Sequence, residues 1–143
     1  MAAAVASLLL ILPLVALTQG AAVKDQIAAI GKKCVAETKL SPDRAGIAFN
    51  QEIPKTDSEK CFLECVYKGA GVVVDNKFSL AGSEKMVKAT FAGTPQEAVA
   101  HKLVQTCDKL IAPKAGENCS LGRVVRECFV NNGKSVNFFP SAA

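Results

Sequence analysis

Histidine is almost missing from this 143-residue chain: His101 stands alone, and tryptophan is absent. A metal centre built from imidazoles is thereby not expected, nor is a pH switch made of clustered histidines. No run alternates apolar and polar residues long enough to make a half-buried strand, which argues against a sheet-based core. No stripe of lysine and arginine is interleaved with aromatics, so nucleic acid is not an expected partner. The formal net charge is only +4, with acids and bases interspersed, which leaves a weak attraction to anionic surfaces at most. Beyond Leu17 no stretch is long and apolar enough to span a bilayer, so stable membrane insertion is not expected.

Charge is also absent from residues 1–20, where Ala2 to Leu17 is nearly all apolar. The run is shorter than the roughly 20 residues a membrane span needs. It ends in Thr18-Gln19-Gly20-Ala21-Ala22, small residues suited to a signal peptidase. These features predict a signal peptide over 1–20, cleaved after Gly20, and a secreted, extracellular product of residues 21–143. That length fits one domain with a modest core. No repeat, low-complexity segment or linker divides it.

Helix start and stop signals fill the rest. Val23, Ile27, Ile30 and Cys34 recur at helical spacing and predict a first helix over 22–38. Ser41-Pro42 opens a short second helix to Asn50, ended by Ile53-Pro54. Thr56-Asp57-Ser58-Glu59 is a capping box for a third helix to Lys68, stopped by Gly69-Ala70-Gly71. Val72-Val73-Val74 reads as an extended connector, turned at Asp75-Asn76, with no partner strand in view. Leu80, Glu84, Val87 and Phe91 space a fourth helix over 79–91. Thr94-Pro95-Gln96-Glu97 is the strongest start signal, opening a fifth helix to Ile111 with Val99, Leu103, Cys107 and Leu110 on one face. Asn118 or Ser120 caps a sixth, whose apolar face is Leu121, Val124, Val125, Cys128 and Phe129, and Asn132-Gly133 ends it. The tail, 133–143, carries Val136, Phe138 and Phe139. The expected fold class is all-α: a single compact domain of about six helices.

Six cysteines punctuate these helices as C-x26-C-x3-C-x41-C-x11-C-x8-C, from Cys34 to Cys128. An even number in an exported chain of this size reads as a disulfide framework, adding roughly 2–4 kcal/mol per bridge. Cys61 and Cys65 share a helix face about 5–6 Å apart, too far for one bridge. Cys119 and Cys128 on one helix are separated by about 13 Å of rise. Several pairings survive these exclusions, and spacing does not choose among them. The x3 and x8 gaps, the leader and the stretch Cys61-Phe62-Leu63-Glu64-Cys65-Val66-Tyr67-Lys68 together resemble the insect odorant-binding protein family, which includes the pheromone-binding and general odorant-binding proteins. The resemblance spans essentially the whole of residues 21–143. It implies the pairing Cys34–Cys65, Cys61–Cys119 and Cys107–Cys128 around an apolar cavity. The chain departs from many members in lacking tryptophan and in being basic.

An apolar wall is the expected site. Met86, Val87, Phe91, Leu103, Val104, Val125, Phe129, Phe138 and Phe139 fall on inner faces of the last three helices or in the tail. Any one of them alone fits ordinary core; as a set they suit a small-molecule cavity. The resemblance places Phe129 against the ligand and Phe138 and Phe139 over the cavity. His101, Tyr67 and Thr90 are the candidate polar groups. No catalytic constellation is evident: His101 has Glu97 and Asp108 on roughly its side, but it is followed by Lys102, whereas a secreted phospholipase needs a His-Asp pair beside a cysteine. No enzyme activity, cofactor or metal is expected. Asn118-Cys119-Ser120 matches the glycosylation triplet, and a bridged Cys119 makes its use unexpected. The resemblance implies a small hydrophobic partner, delivery to an olfactory receptor, and a monomer or weak homodimer. The competing readings are a non-olfactory carrier of lipids or hormones and a secreted basic defence or interaction protein.

Overall fold

The computed structural model describes residues 15–133, with side chains from Val23 onward. The expected signal peptide and cleavage point, and residues 134–143 with Phe138 and Phe139, therefore lie outside the residues whose side chains are described. In order come α1 (Val15–Thr38), a 3₁₀ helix (Pro42–Phe49), α2 (Asp57–Gly69), β1 (Val73–Val74), β2 (Lys77–Phe78), α3 (Leu80–Phe91), α4 (Gln96–Leu110) and α5 (Ser120–Asn132). The expected six helices are present, one of them 3₁₀.

Three local expectations need correction. The first helix begins at Val15 rather than near 22, because no proline or cap interrupts the alanine-rich run before Thr38. The valine connector is half of a hairpin: Val73 pairs with Phe78 and Val74 with Lys77. Asp75 and Asn76 have φ of 51° and 59°, the left-handed pair that a two-residue hairpin turn requires and that Asp and Asn tolerate. The fifth helix was expected to bury Val99 and Leu110. Instead they are 48% and 61% exposed, and Ala100, Leu103, Val104 and Cys107 face inward.

The α2 capping box forms in altered shape, and the one expected for α4 does not form, because Pro95 itself holds the N-cap position with no side-chain cap hydrogen bond. Thr56 Oγ1 accepts from Glu59 N–H at 3.2 Å, but Glu59 reaches back to Lys55 N–H, one residue earlier than a regular box. At the start of α4 the Glu97 carboxylate accepts from Gly93 N–H, while the Thr94 hydroxyl donates to the Phe91 carbonyl and closes α3. One short segment thus finishes one helix and starts the next. At α5 neither Asn118 nor Ser120 caps: Cys119 holds the N-cap position, and the Ser120 hydroxyl accepts from Lys114 N–H.

The core centres on α2, whose Phe62, Leu63, Val66 and Tyr67 are fully buried. Helix α5 crosses it at Gly122, where a Cβ would stand 1.9 Å from the Lys60 carbonyl oxygen. Disulfides join Cys34 to Cys65, Cys61 to Cys119 and Cys107 to Cys128, the pairing that the resemblance implies. They tie α1 to α2, α2 to the start of α5, and α4 to the end of α5.

One buried charge was not expected. Arg126 is 3% exposed. Its Nε donates to Tyr67 Oη at 3.0 Å, and its other nitrogens donate to the carbonyls of Ile47, Asn50 and Glu52 at 2.6–3.0 Å. The carbonyls of Asn50 and Glu52 gain a partner, and that of Ile47, which also accepts from Asn50 N–H at the end of the 3₁₀ helix, gains a second one. Arg126→Met keeps most of the buried volume but strands the Asn50 and Glu52 acceptors. It is expected to cost about 2–3 kcal/mol, read as a lower urea midpoint, with faster amide exchange around 47–52. An unchanged midpoint would show that water replaces the guanidinium without loss.

A second ionic cluster lies on the surface where α2 and α5 begin. Glu117 accepts twice from Arg123 at 2.7 Å and pairs with Lys60 at 3.6 Å, and Arg123 also reaches Glu127. The Arg123 hydrogen bonds, helped by the charges of Arg123 and Lys60, hold the Glu117 carboxyl down at about 2. A depressed carboxylate stabilises the fold fully above its ordinary value of about 4.5 and loses that contribution as pH falls toward 2. Glu117→Gln should therefore flatten the fall in melting temperature between about pH 4.5 and pH 2 and leave the change from pH 7 to pH 5 untouched. A variant curve parallel to wild type throughout would remove this role.

Candidate functional site

Helix α4 packs against both α3 and α5. From α3 come Met86, Val87 and Phe91; from α4, Leu103 and Val104; from α5, Val125 and Phe129. All seven are buried and belong to one continuous apolar cluster. These are the described members of the expected apolar wall. Phe129 is held edge-on between two rings, Tyr67 at 6.3 Å and Phe78 at 6.1 Å between centroids. Such T-shaped contacts fix a ring's orientation as well as burying it. The hairpin delivers Phe78 to this position, and Phe78 was not among the expected residues, because the β2 strand that carries it is too short to show a pattern. Met86 also reaches the edge of a groove between α1 and α3, where Val23, Gly71 and Ala89 lie.

The three polar candidates separate. His101 is half-buried on α4, 3.8 Å from Glu97 across one helical turn. Tyr67 is fully buried, with its oxygen accepting from Arg126. Thr90 Oγ1 is sealed from solvent, and so is Ser83 Oγ one face-repeat earlier on α3; neither meets a hydrogen-bond partner among the described residues. Leaving such a hydroxyl unpaired costs about 1–3 kcal/mol. Ser83 was missed because the expected inward line of this helix ran through Glu84, which is only half-buried. The i, i+3, i+4, i+7 series Ser83, Met86, Val87, Thr90 carries the signal, and it is overlooked when only apolar residues are counted as inward.

Among the described residues, the inward side chains of α3 and α4 are mostly apolar with two hydroxyls, Ser83 and Thr90, and those of α5 add the Ser120 hydroxyl and the hydrogen-bonded Arg126 guanidinium. No group of histidine, cysteine or acidic side chains able to hold a metal ion occurs among the described residues. No helix among them is long and apolar enough to cross a membrane.

A family model described as the PBP/GOBP family matches residues 17–132. Among solved structures, the odorant-binding protein dmelOBP28a from Drosophila melanogaster is similar, with a TM-score of 0.68 and 18% sequence identity over 82% of this chain and 96% of that one. At that identity the likeness is one of fold. No curated protein matches the chain.

Proposed function

Because the chain belongs to the PBP/GOBP family, we propose that it is a secreted carrier that takes small hydrophobic molecules, odorants or pheromones, out of water and moves them through extracellular fluid to receptors. The observation that carries this reading is the convergence of Met86, Val87, Phe91, Leu103, Val104, Val125 and Phe129 in one buried apolar cluster within a family of odorant-binding carriers. In this proposal they form the ligand wall, with Phe138 and Phe139 of the tail completing it. Residues 1–20 serve as the signal peptide, and residues 21–143 form the working domain. Its partners are the ligand and an olfactory receptor, it works as a monomer or weak homodimer, and it catalyses nothing.

The energetics are adequate. Each methylene moved from water into such a site gains about 0.8 kcal/mol. Eight to ten of them give roughly 6–8 kcal/mol before entropy costs, near the value for micromolar binding. Disulfides supply stability that a fully packed interior would otherwise have to provide, which lets part of the interior be given to a ligand.

The test uses protein collected from the medium of a secreting eukaryotic host expressing the full chain. Mass spectrometry should find Ala21 at the N-terminus. A fluorescent apolar probe should bind saturably, one to one, and be displaced by members of a panel of odorants and fatty acids. Phe129→Ala is expected to weaken the probe about tenfold or more and to cost about 3–5 kcal/mol in stability. Val99→Ala, on the exposed face of α4, should change neither. Folded, fully bridged protein that binds no probe but leaks anionic vesicles would favour a membrane-directed defence protein instead.

A further inference from the structure

On the buried arc of helix α3 two hydroxyls stand among hydrocarbon: Ser83, fully buried, and Thr90, half-buried but with its oxygen sealed from solvent. Residues seven apart differ by only about 20° around a helix, so Ser83 and Thr90 lie one above the other. Met86, Val87 and Phe91 flank them within the same buried arc. Ser83 is fully buried, and neither hydroxyl oxygen has a partner among the described residues. Several other hydroxyls among the described residues bond to the backbone. Thr38 and Thr106 bond back to the carbonyl four residues earlier, at 2.7 and 2.9 Å. Ser79 accepts from Gly82 N–H at 3.0 Å, and Ser120 from Lys114 N–H at 3.0 Å. The same retreat to the backbone is open to any serine or threonine inside a helix, and Ser83 and Thr90 do not take it. Alanine and valine at these positions would make a cheaper core.

We propose that Ser83 and Thr90 are the two polar anchors of the ligand site and that they set its chemical preference. They lie two helical turns apart, about 10 Å along the axis, with Met86 and Val87 between them. The matching ligand is an aliphatic molecule with two oxygen functions, hydroxyl or carbonyl, separated by an apolar stretch that lies along those two side chains. A ligand with one oxygen satisfies one anchor, and a hydrocarbon satisfies neither. The inference rests on the carrier reading above and narrows it from hydrophobic molecules in general to difunctional oxygenated ones.

Displacement of the apolar probe by octane, octan-1-ol and octane-1,8-diol tests it on the same secreted protein. Ser83→Ala and Thr90→Val are each expected to weaken the diol about fivefold to tenfold, the worth of one hydrogen bond, and to leave octane within about twofold. Thr90→Ser, which keeps the hydroxyl, should keep the affinity for the diol. Unliganded Ser83→Ala and Thr90→Val should melt at or above the wild-type temperature, because each removes an unpaired buried group. Equal diol affinity in wild type and both variants would overturn the assignment. So would a lower melting temperature in both, which would show the hydroxyls already bonded within the protein. Either result with probe binding intact leaves the carrier reading standing, whereas folded wild-type protein that takes up neither probe nor any of the three compounds would overturn both.

Discussion

Gly122→Ala is expected to destabilise the protein by about 3 kcal/mol or more, and at physiological temperature to leave much of it unfolded. The new Cβ would stand 1.9 Å from the Lys60 carbonyl oxygen, 2.8 Å from its carbon and 3.0 Å from the Glu64 nitrogen. All three are backbone atoms of α2, so no side chain can swing aside to make room. Relief requires α5 to move off α2, and these two helices contribute Leu63, Val66, Tyr67, Leu121, Val125 and Phe129 to the core. Moving them apart loosens apolar contacts along their whole length. Urea unfolding is the measurement. Gly46→Ala, where a Cβ meets nothing within 4 Å, supplies the comparison and should stay within about 0.5 kcal/mol. Similar small losses at both glycines would show that the α2–α5 crossing has slack.

Replacing Cys61 and Cys119 together by serine is expected to cost about 4 kcal/mol, the largest loss among the three bridges. The reason is loop length. This bridge closes 58 residues of sequence, against 31 for Cys34–Cys65 and 21 for Cys107–Cys128, and the entropy removed from the unfolded chain rises with the logarithm of that span. A second effect offsets part of it. Cys119 sits at the head of α5 in the left-handed region, with φ of 54°, a conformation that costs a non-glycine residue roughly 1–2 kcal/mol. The bridge to Cys61 fixes it there. Without it the α5 start should fray, and amide exchange at Leu121 to Val124 should quicken more than at Phe129. Thermal unfolding of the three paired-serine variants gives the ranking. A Cys107–Cys128 variant less stable than the Cys61–Cys119 one would make native packing, not chain entropy, the deciding term.

Much of the helical plan was legible along the chain. Caps, prolines and glycines are local signals, read by the backbone within a few residues of where they stand. They located α2 to within a residue and placed α3 to α5 closely. The x3 and x8 gaps, by resemblance, carried the bridge pairing. Legibility failed where the deciding partner lies far off in sequence. Arg126 looks like a surface residue of α5, yet it is buried because the carbonyls of Ile47, Asn50 and Glu52 arrive from the other side of the fold. Val99 and Leu110 fit the apolar spacing of α4, yet they face outward because α3 and α5 both pack on the side of Leu103 and Val104. The hairpin escaped notice because a two-residue strand has no periodicity to read.

The candidate site divides in the same way. Its apolar members were named in advance because hydrophobic spacing on a helix is a property of the segment itself. Thr90 was among the polar candidates of the sequence, but the Ser83 hydroxyl, and the ring of Phe78 against Phe129, emerge only once the helices and the hairpin meet. Whether a serine is inside or outside is decided by what packs over it: Met86 and Val87 place Ser83 on their side of α3, but what covers that side comes from far along the chain. By itself the sequence determined an all-helical, bridge-braced chain with an apolar inner surface, because caps, turns and cysteine gaps act locally. Only the tertiary structure decided which polar groups that surface conceals, because burial depends on neighbours that the chain brings from far away.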